Sequence, residues 1–198
     1  MAERAGPRIG LFGGSFDPAH AGHLHAATTA RRACRLDRVW WMPSPQNPLK
    51  PAQPGWRDRA DTVRELGLPP GHRVSDIERE YGTTYTIDLL RRLRIRRPAT
   101  RFVFIMGADN FAQLPQWREW RAIVETVPIC VVARPGPASL KARLGPAAQL
   151  YANARVPEVS AHMLPDLPPP AWTFLTAPLN ALSSTALRAT MARAERSV

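Results

Sequence analysis

Strand-like and helix-like segments alternate along this 198-residue chain, which predicts an α/β fold: one domain over residues 1–198, a parallel sheet with helices on both faces. Two further observations point the same way. Several strand candidates are unbroken apolar runs, as strands buried on both faces require, and no segment repeats along the chain. Arg8-Ile9-Gly10-Leu11-Phe12-Gly13 reads as a first strand ending in glycine, and His23–Arg35 follows with helical composition. Arg38–Met42 reads as a second strand stopped by Pro43. Residues 44–55 hold Pro45, Pro48, Pro51 and Pro54 and read as a long loop. A helix near Arg57–Leu66, a short strand near Val74–Ile77 and a helix near Thr86–Ile95 come next. Arg101–Met106 is the clearest buried strand and runs into Gly107; helical residues near Arg118–Thr126 lead to another strand, Ile129–Ala133. The remainder reads as a helix near Leu140–Ala152, short strands near Val159 and Trp172–Leu175, a stiff Pro-rich loop over Leu164–Pro170, and a final helix, Ser184–Arg196. Sheets of this kind bind ligands at the C-terminal ends of their strands.

Composition narrows the classes of function. Hydrophobic residues at 44% against 22% charged exclude a wholly disordered chain. No apolar run approaches the roughly 20 residues of a membrane-spanning helix. No signal-like segment precedes the first strand, so the cytoplasm is the expected compartment. Cys34 and Cys130 make no zinc spacing, and Cys130, in an apolar run, is expected to pack as a small hydrophobe. With 27 Lys+Arg against 16 Asp+Glu the formal charge is +11, which admits nucleic acid, an anionic membrane surface or phosphorylated ligands. All the cations but Lys50 and Lys141 are arginine, and most of them read as solvated surface.

The first strand runs into Gly13-Gly14-Ser15-Phe16-Asp17-Pro18-Ala19-His20-Ala21-Gly22-His23. The paired glycines allow a sharp turn and close approach of backbone to a ligand. His20 and His23 flank the entry to the first helix, whose free N–H groups and dipole favour an anion. Two imidazole donors beside that helix end suit phosphoryl oxygens. The Gly-x-Gly-x-x-Gly and Gly-Lys-Ser/Thr patterns are both absent. Metal ligation by His20, His23 and Asp17 lacks a His-Glu-x-x-His arrangement, so no metal ligand is assigned. His25, His72 and His162 read as structural or surface residues.

This eleven-residue pattern resembles the Gly-Gly-x-Phe-Asp-Pro-x-His-x-Gly-His signature of the nucleotidylyltransferase superfamily, which implies a Rossmann-like sheet. The superfamily's second hallmark has its likeness in Leu182-Ser183-Ser184-Thr185-Ala186-Leu187-Arg188. There Ser183 can N-cap the last helix, Ser184 and Thr185 can face an anion, and Arg188 adds a positive fork one turn on. The middle of the chain resembles the bacterial nicotinate-nucleotide adenylyltransferase family. Pro43-Ser44-Pro45-Gln46-Asn47-Pro48-Leu49-Lys50 is similar to its Pro-rich substrate loop, with Leu49 departing from the usual His and Lys50 carried over as a phosphate contact. Tyr85-Thr86-Ile87-Asp88-Leu89-Leu90 is similar to the segment that meets the nicotinate carboxylate. Gly107-Ala108-Asp109, reaching on to Trp117, implies Asp109 at a ribose and Trp117 stacked on the pyridine ring; Arg118 stands where several relatives have Tyr. Val131-Val132-Ala133-Arg134-Pro135-Gly136 is similar to the family's Arg-Pro-Gly.

The resemblance implies transfer of AMP from ATP to nicotinate mononucleotide, with magnesium accompanying the ATP. His20, His23, Arg188 and Lys50 are the expected catalytic residues. Gly13, Gly14, Phe16, Asp109, Arg134, Ser184 and Thr185 are expected at ATP, and Ser15, Tyr85, Thr86 and Trp117 at the acceptor. Each has a plainer reading: Trp117 as core, as Trp40, Trp41 and Trp172 are expected to be, and Thr86 and Asp109 as helix caps. The acceptor's ionised phosphate needs no general base, and no Ser-His-Asp or Cys-His pairing suggests a covalent intermediate. Rival readings keep the chemistry and change the acceptor to nicotinamide mononucleotide or phosphopantetheine, or use CTP. A rival of another class is a non-catalytic basic RNA-binding protein, with Arg91, Arg92, Arg94, Arg96 and Arg97 as its best feature. That cluster also suits a helix C-terminus, and no RNA-recognition sequence accompanies it.

Overall fold

A computed structural model describes residues 6–45, 53–134 and 136–176. Among these, seven strands form one sheet: β1 (Arg8–Gly14), β2 (Arg38–Pro43), β3 (His72–Val74), β4 (Arg101–Gly107), β5 (Ile129–Val132), β6 (Arg155–Val156) and β7 (Trp172–Leu175). All pairings are parallel, in the order β3-β2-β1-β4-β5-β7-β6. The chain winds outward from β1 to β3, then returns to place β4 on the other side of β1. The β1/β4 boundary is therefore the topological switch point, where open parallel sheets of this type bind ligands.

The helices are α1 (Ala21–Ala33), α2 (Trp56–Arg64), α3 (Ile77–Glu80), α4 (Thr86–Arg96), α5 (Ala108–Gln113), α6 (Trp120–Thr126), α7 (Ala138–Leu144) and α8 (Pro146–Leu150). Strand alternation divides the core into two layers. Leu11, Met42, Phe104 and Val131 face α4 to α8, whereas Phe12, Trp41, Ile105 and Cys130 face α1 and α2. Trp40, Trp41 and Trp172 are core residues, as the sequence predicts. Cys130 is fully buried against Cys34, whose hydrogen bond, with burial, pushes the Cys130 thiol up.

The boundaries differ from the sequence prediction where local signals were misweighed. The strand expected over Val74–Ile77 ends at Val74, because β2 offers partners only for His72 to Val74, and Ile77 opens α3 instead. The helix expected over Leu140–Ala152 is two helices. Gly145 is extended (φ −75°, ψ 166°) and Pro146 takes the first position of α8, so the proline ring disfavours a helical Gly145 and splits the element. Val159, expected in a strand, is 86% exposed in a 3-10 helix over Glu158–Asp166. That helix also takes in the start of the expected Pro-rich loop, and the strand in this region is β6, ended by Pro157. α5 went unpredicted, and α6 begins at Trp120 because Glu119 adopts a left-handed φ of 49°. The expected final helix lies outside the described residues.

Much of the arginine excess is structural. Guanidinium groups lie over Trp40 (Arg73 at 4.4 Å and Arg97 at 5.3 Å), Trp56 (Arg79 at 4.8 Å) and Trp172 (Arg155 at 5.4 Å). A planar delocalised cation stacks on such faces where an ammonium does so less well. Two members of the cluster on α4 are held at the surface: Arg91 pairs with Glu119, and Arg92 donates to the Tyr81 carbonyl. These arginines are exposed, as the sequence predicts, and are held at the surface by specific partners.

Candidate active site

The spacing of His20 and His23 has a local physical cause. His20 is the N-cap of α1, extended at φ −153° and ψ 169°, and its Nδ1 accepts from the Gly22 N–H at 3.1 Å. His23, three residues on, returns the bond: its Nδ1 accepts from the His20 N–H at 3.2 Å. This is a reciprocal capping box built from two imidazoles instead of Ser/Thr and Glu/Gln. The helix-end amides expected to meet an anion are thus partly satisfied by the histidines. Because each Nδ1 accepts, each ring carries its proton on Nε2, the nitrogen left to act as donor. The rings lie 3.9 Å apart between centroids.

His20 is only 4% exposed, and burial, aided by the Arg134 charge and opposed by Asp109, lowers its pKa from 6.5 to about 4. It is a neutral donor at physiological pH. His72, which accepts from Trp41 Nε1 at 3.1 Å, is likewise lowered to about 4, by burial and then by Arg31. A lowered histidine pKa gives stability that is full above the unfolded value of 6.5 and is lost as pH falls toward about 4. Glu78, raised by burial to about 8, acts in the opposite sense, so the clean readout is a difference. Relative to His72→Gln, the wild type is expected to lose stability as pH drops through this window. Urea midpoints at matched pH values check this, and a pH-independent difference contradicts it.

Residues from four strand ends converge on the switch point. Gly13 and Gly14 end β1, and the Ser44 N–H donates to the Gly14 carbonyl at 3.0 Å, joining the β1 and β2 exits. Phe16 adopts a left-handed φ of 47°, and its ring is buried against Phe12, Trp41 and His23. Phe16, expected at ATP, therefore offers a ligand only its main chain. Asp109 sits in the first turn of α5 and Arg134 follows β5, with Arg134 Nε 3.6 Å from Asp109 Oδ1. Neither atom makes a hydrogen bond within the described chain. The Arg134 backbone is locked by Ser139, whose hydroxyl accepts from the Arg134 N–H at 2.9 Å and donates to its carbonyl at 2.7 Å.

Tyr85, Thr86 and Trp117 form a second group. The cap position of α4 is Tyr85, with no side-chain cap bond, and α5 likewise has none, so neither Thr86 nor Asp109 is spent on capping. The Arg118 guanidinium lies 4.6 Å from the Tyr85 ring, so one ring face is already covered. Trp117 is half-buried and meets Phe104 edge-on at 6.4 Å. Phe104 also lies 3.3 Å from where a Gly13 side chain would begin, so one ring connects the two groups. Lys50, Ser184, Thr185 and Arg188 lie outside the described residues.

Sequence reading predicts a helix where α2 lies but passes over Arg59 on it. Arg59 is 1% exposed and sits with Ala60 and Val63 on the buried face of that helix. A cation on an apolar stripe was the available signal. Burial lowers its pKa, opposed by Asp17, Glu78 and Asp58. Among the described residues no group of three or more His, Cys, Asp and Glu could hold a metal ion, and no helix is long and apolar enough to cross a membrane.

A parallel sheet carrying a capped histidine pair at its switch point defines the cytidylyltransferase-like class, whose family model matches residues 11–190. A probable nicotinate-nucleotide adenylyltransferase of Caulobacter sp. (strain K31) is 51% identical over 183 residues, covering 91% of this chain and 96% of its own. One from Cereibacter sphaeroides (strain ATCC 17025 / ATH 2.4.3) is also 51% identical, covering 92% and 97%. The chain belongs to the nicotinate-nucleotide adenylyltransferase family. Its fold is shared with Plasmodium falciparum nicotinic acid mononucleotide adenylyltransferase complexed with NaAD, at a TM-score of 0.68 and 17% identity, covering 92% of this chain and 83% of that one.

Proposed function

We propose that this chain transfers the adenylyl group of ATP to nicotinate mononucleotide, giving nicotinate adenine dinucleotide and pyrophosphate in NAD biosynthesis. The observation that carries the reading is the His20–His23 capping pair beside Asp109 and Arg134 at the switch point. A phosphate oxygen of the acceptor attacks the α-phosphorus in line, forming one P–O bond as the bond to pyrophosphate breaks. That oxygen is already ionised, so no base is needed.

Catalysis is positioning and charge stabilisation. His20 and His23 donate through Nε2 to the α-phosphate region, a role that suits the Nδ1-accepting tautomer of the capping box. Gly13 and Gly14 let the backbone approach the phosphates. Arg188, with Ser184 and Thr185, steadies the β- and γ-phosphates, and Lys50 helps bring two anions together. Arg134 adds positive charge near His20, and Asp109 takes the ribose hydroxyls. Ser15, Tyr85 and Thr86 hold the acceptor, and Trp117 stacks on its pyridine ring. ATP enters as its magnesium complex, the metal held by phosphates and water in the manner usual for that ion. The reaction is placed in the cytoplasm, because its phosphorylated substrates do not cross membranes unaided.

Mixing the protein with ATP and nicotinate mononucleotide is expected to release pyrophosphate and form the dinucleotide in equal amounts. Pyrophosphate appearing without dinucleotide overturns the reading. Trp117→Ala is expected to raise the acceptor KM about 2- to 13-fold, from a ring-stacking contribution of ~0.5–1.5 kcal/mol. The ATP KM should stay close to wild type; equal changes for both substrates contradict the stacking role.

A further inference from the structure

We propose that Arg59 is a positioning residue that fixes the two described ends of the Pro-rich loop, at Ser44–Pro45 and Pro54, against the glycine-rich phosphate loop, so that acceptor and ATP meet in register. The inference rests on the adenylyl-transfer reading above. Its geometric basis is one guanidinium shared by four main-chain carbonyls from two loops. Arg59 Nη1 donates to the Ser15 carbonyl at 2.7 Å. Nη2 donates to the carbonyls of Ser44 at 2.6 Å and Pro45 at 3.1 Å, and Nε to that of Pro54 at 2.9 Å. Ser44, Pro45 and Pro54 lie at the two ends of the Pro-rich loop, and Ser15 follows the paired glycines.

Neighbours on the same helix face extend the bracket at three-residue spacing. Trp56 Nε1 donates to the Pro43 carbonyl at 2.8 Å, where β2 ends. The Thr62 hydroxyl accepts from the Ala19 N–H at 3.1 Å, just before His20. α2 thus touches the β2 exit, both ends of the Pro-rich loop and the approach to the capping histidines, with Arg59 at the centre. A purely structural loop anchor would not call for a buried cation, whose desolvation is costly. What guanidinium offers that apolar residues and lysine do not is a rigid fork of donors able to span diverging acceptors. The carboxylates that offset its charge include Asp17, in the glycine-rich loop, and Asp58, on α2 itself.

The test compares wild type, Arg59→Lys and Trp56→Phe by pyrophosphate release under varied ATP and varied nicotinate mononucleotide, with thermal unfolding alongside. Arg59→Lys keeps the charge but cannot bridge the carbonyls, and its acceptor KM is expected to rise at least about tenfold, the scale on which small misplacements act. Its ATP KM should change much less. Trp56→Phe keeps the ring and loses one donor, so its acceptor KM should rise about threefold, as one hydrogen bond warrants. A merely structural role lowers the amount of folded enzyme and leaves both KM values unmoved; that outcome, or parallel rises for both substrates, overturns the proposal. Should Arg59→Lys fail to fold, Trp56→Phe decides alone by the same criterion. A wild type that releases no pyrophosphate overturns the adenylyl-transfer reading and this inference with it, whereas an active wild type with unchanged variants overturns this inference only.

Discussion

Replacing His20 with alanine is expected to cut kcat by about 10²–10³, the loss that follows removal of one preorganised donor from a developing oxyanion. The same change removes the N-cap of α1, so stability should also fall by about 1 kcal/mol. The two effects are separable. Asparagine is a good N-cap residue but cannot place a donor where imidazole Nε2 lies, so His20→Asn should recover the stability and stay slow. A fast, well-folded alanine variant contradicts the donor role. A fast asparagine variant would show that the cap alone matters. Because burial lowers the His20 pKa to about 4, the wild-type rate should show no titration of this group between pH 6 and 8.

Gly107→Ala is the second large effect, and it tests the opposite wall of the site. The backbone there (φ −74°, ψ 159°) suits any residue, so glycine serves for space and not for conformation. A Cβ at Gly107 would lie 2.4 Å from Asp109 Oδ1 and 2.9 Å from Arg134 Nε. Both side chains must move, separating the pair proposed to meet ATP. The expected result is a folded protein whose ATP KM rises about tenfold or more, since misplaced binding groups act on this scale. Unfolding temperature should change little, because Asp109 is about half exposed and the pair is not part of the apolar core. An unchanged ATP KM argues that these two residues do not hold the nucleotide.

What could be read from residues alone divides by the range of the interaction. The His20–His23 motif was legible because its cause is local: capping across three residues at a helix start fixes the spacing. The sheet was legible because β1, β2, β4 and β5 are buried on both faces and therefore continuously apolar. β3 was misplaced because an edge strand takes its limits from the partner strand, which no local pattern encodes. The Gly145-Pro146 break was readable and was overridden by the helical composition around it. Arg59 stayed hidden because its partners are carbonyls, from Ser15 to Pro54, and main-chain acceptors leave no mark in a sequence. The charge of +11 admits nucleic acid, a membrane surface or phosphorylated ligands without choosing among them, and many of the arginines are held by aromatic rings and carboxylates.

The most direct measurement is pyrophosphate release from ATP with three acceptors offered separately: nicotinate mononucleotide, nicotinamide mononucleotide and phosphopantetheine. Release should be fastest with nicotinate mononucleotide and absent with phosphopantetheine, which has no pyridine ring for Trp117. Release with phosphopantetheine alone, or with none of the three, would contradict the assignment.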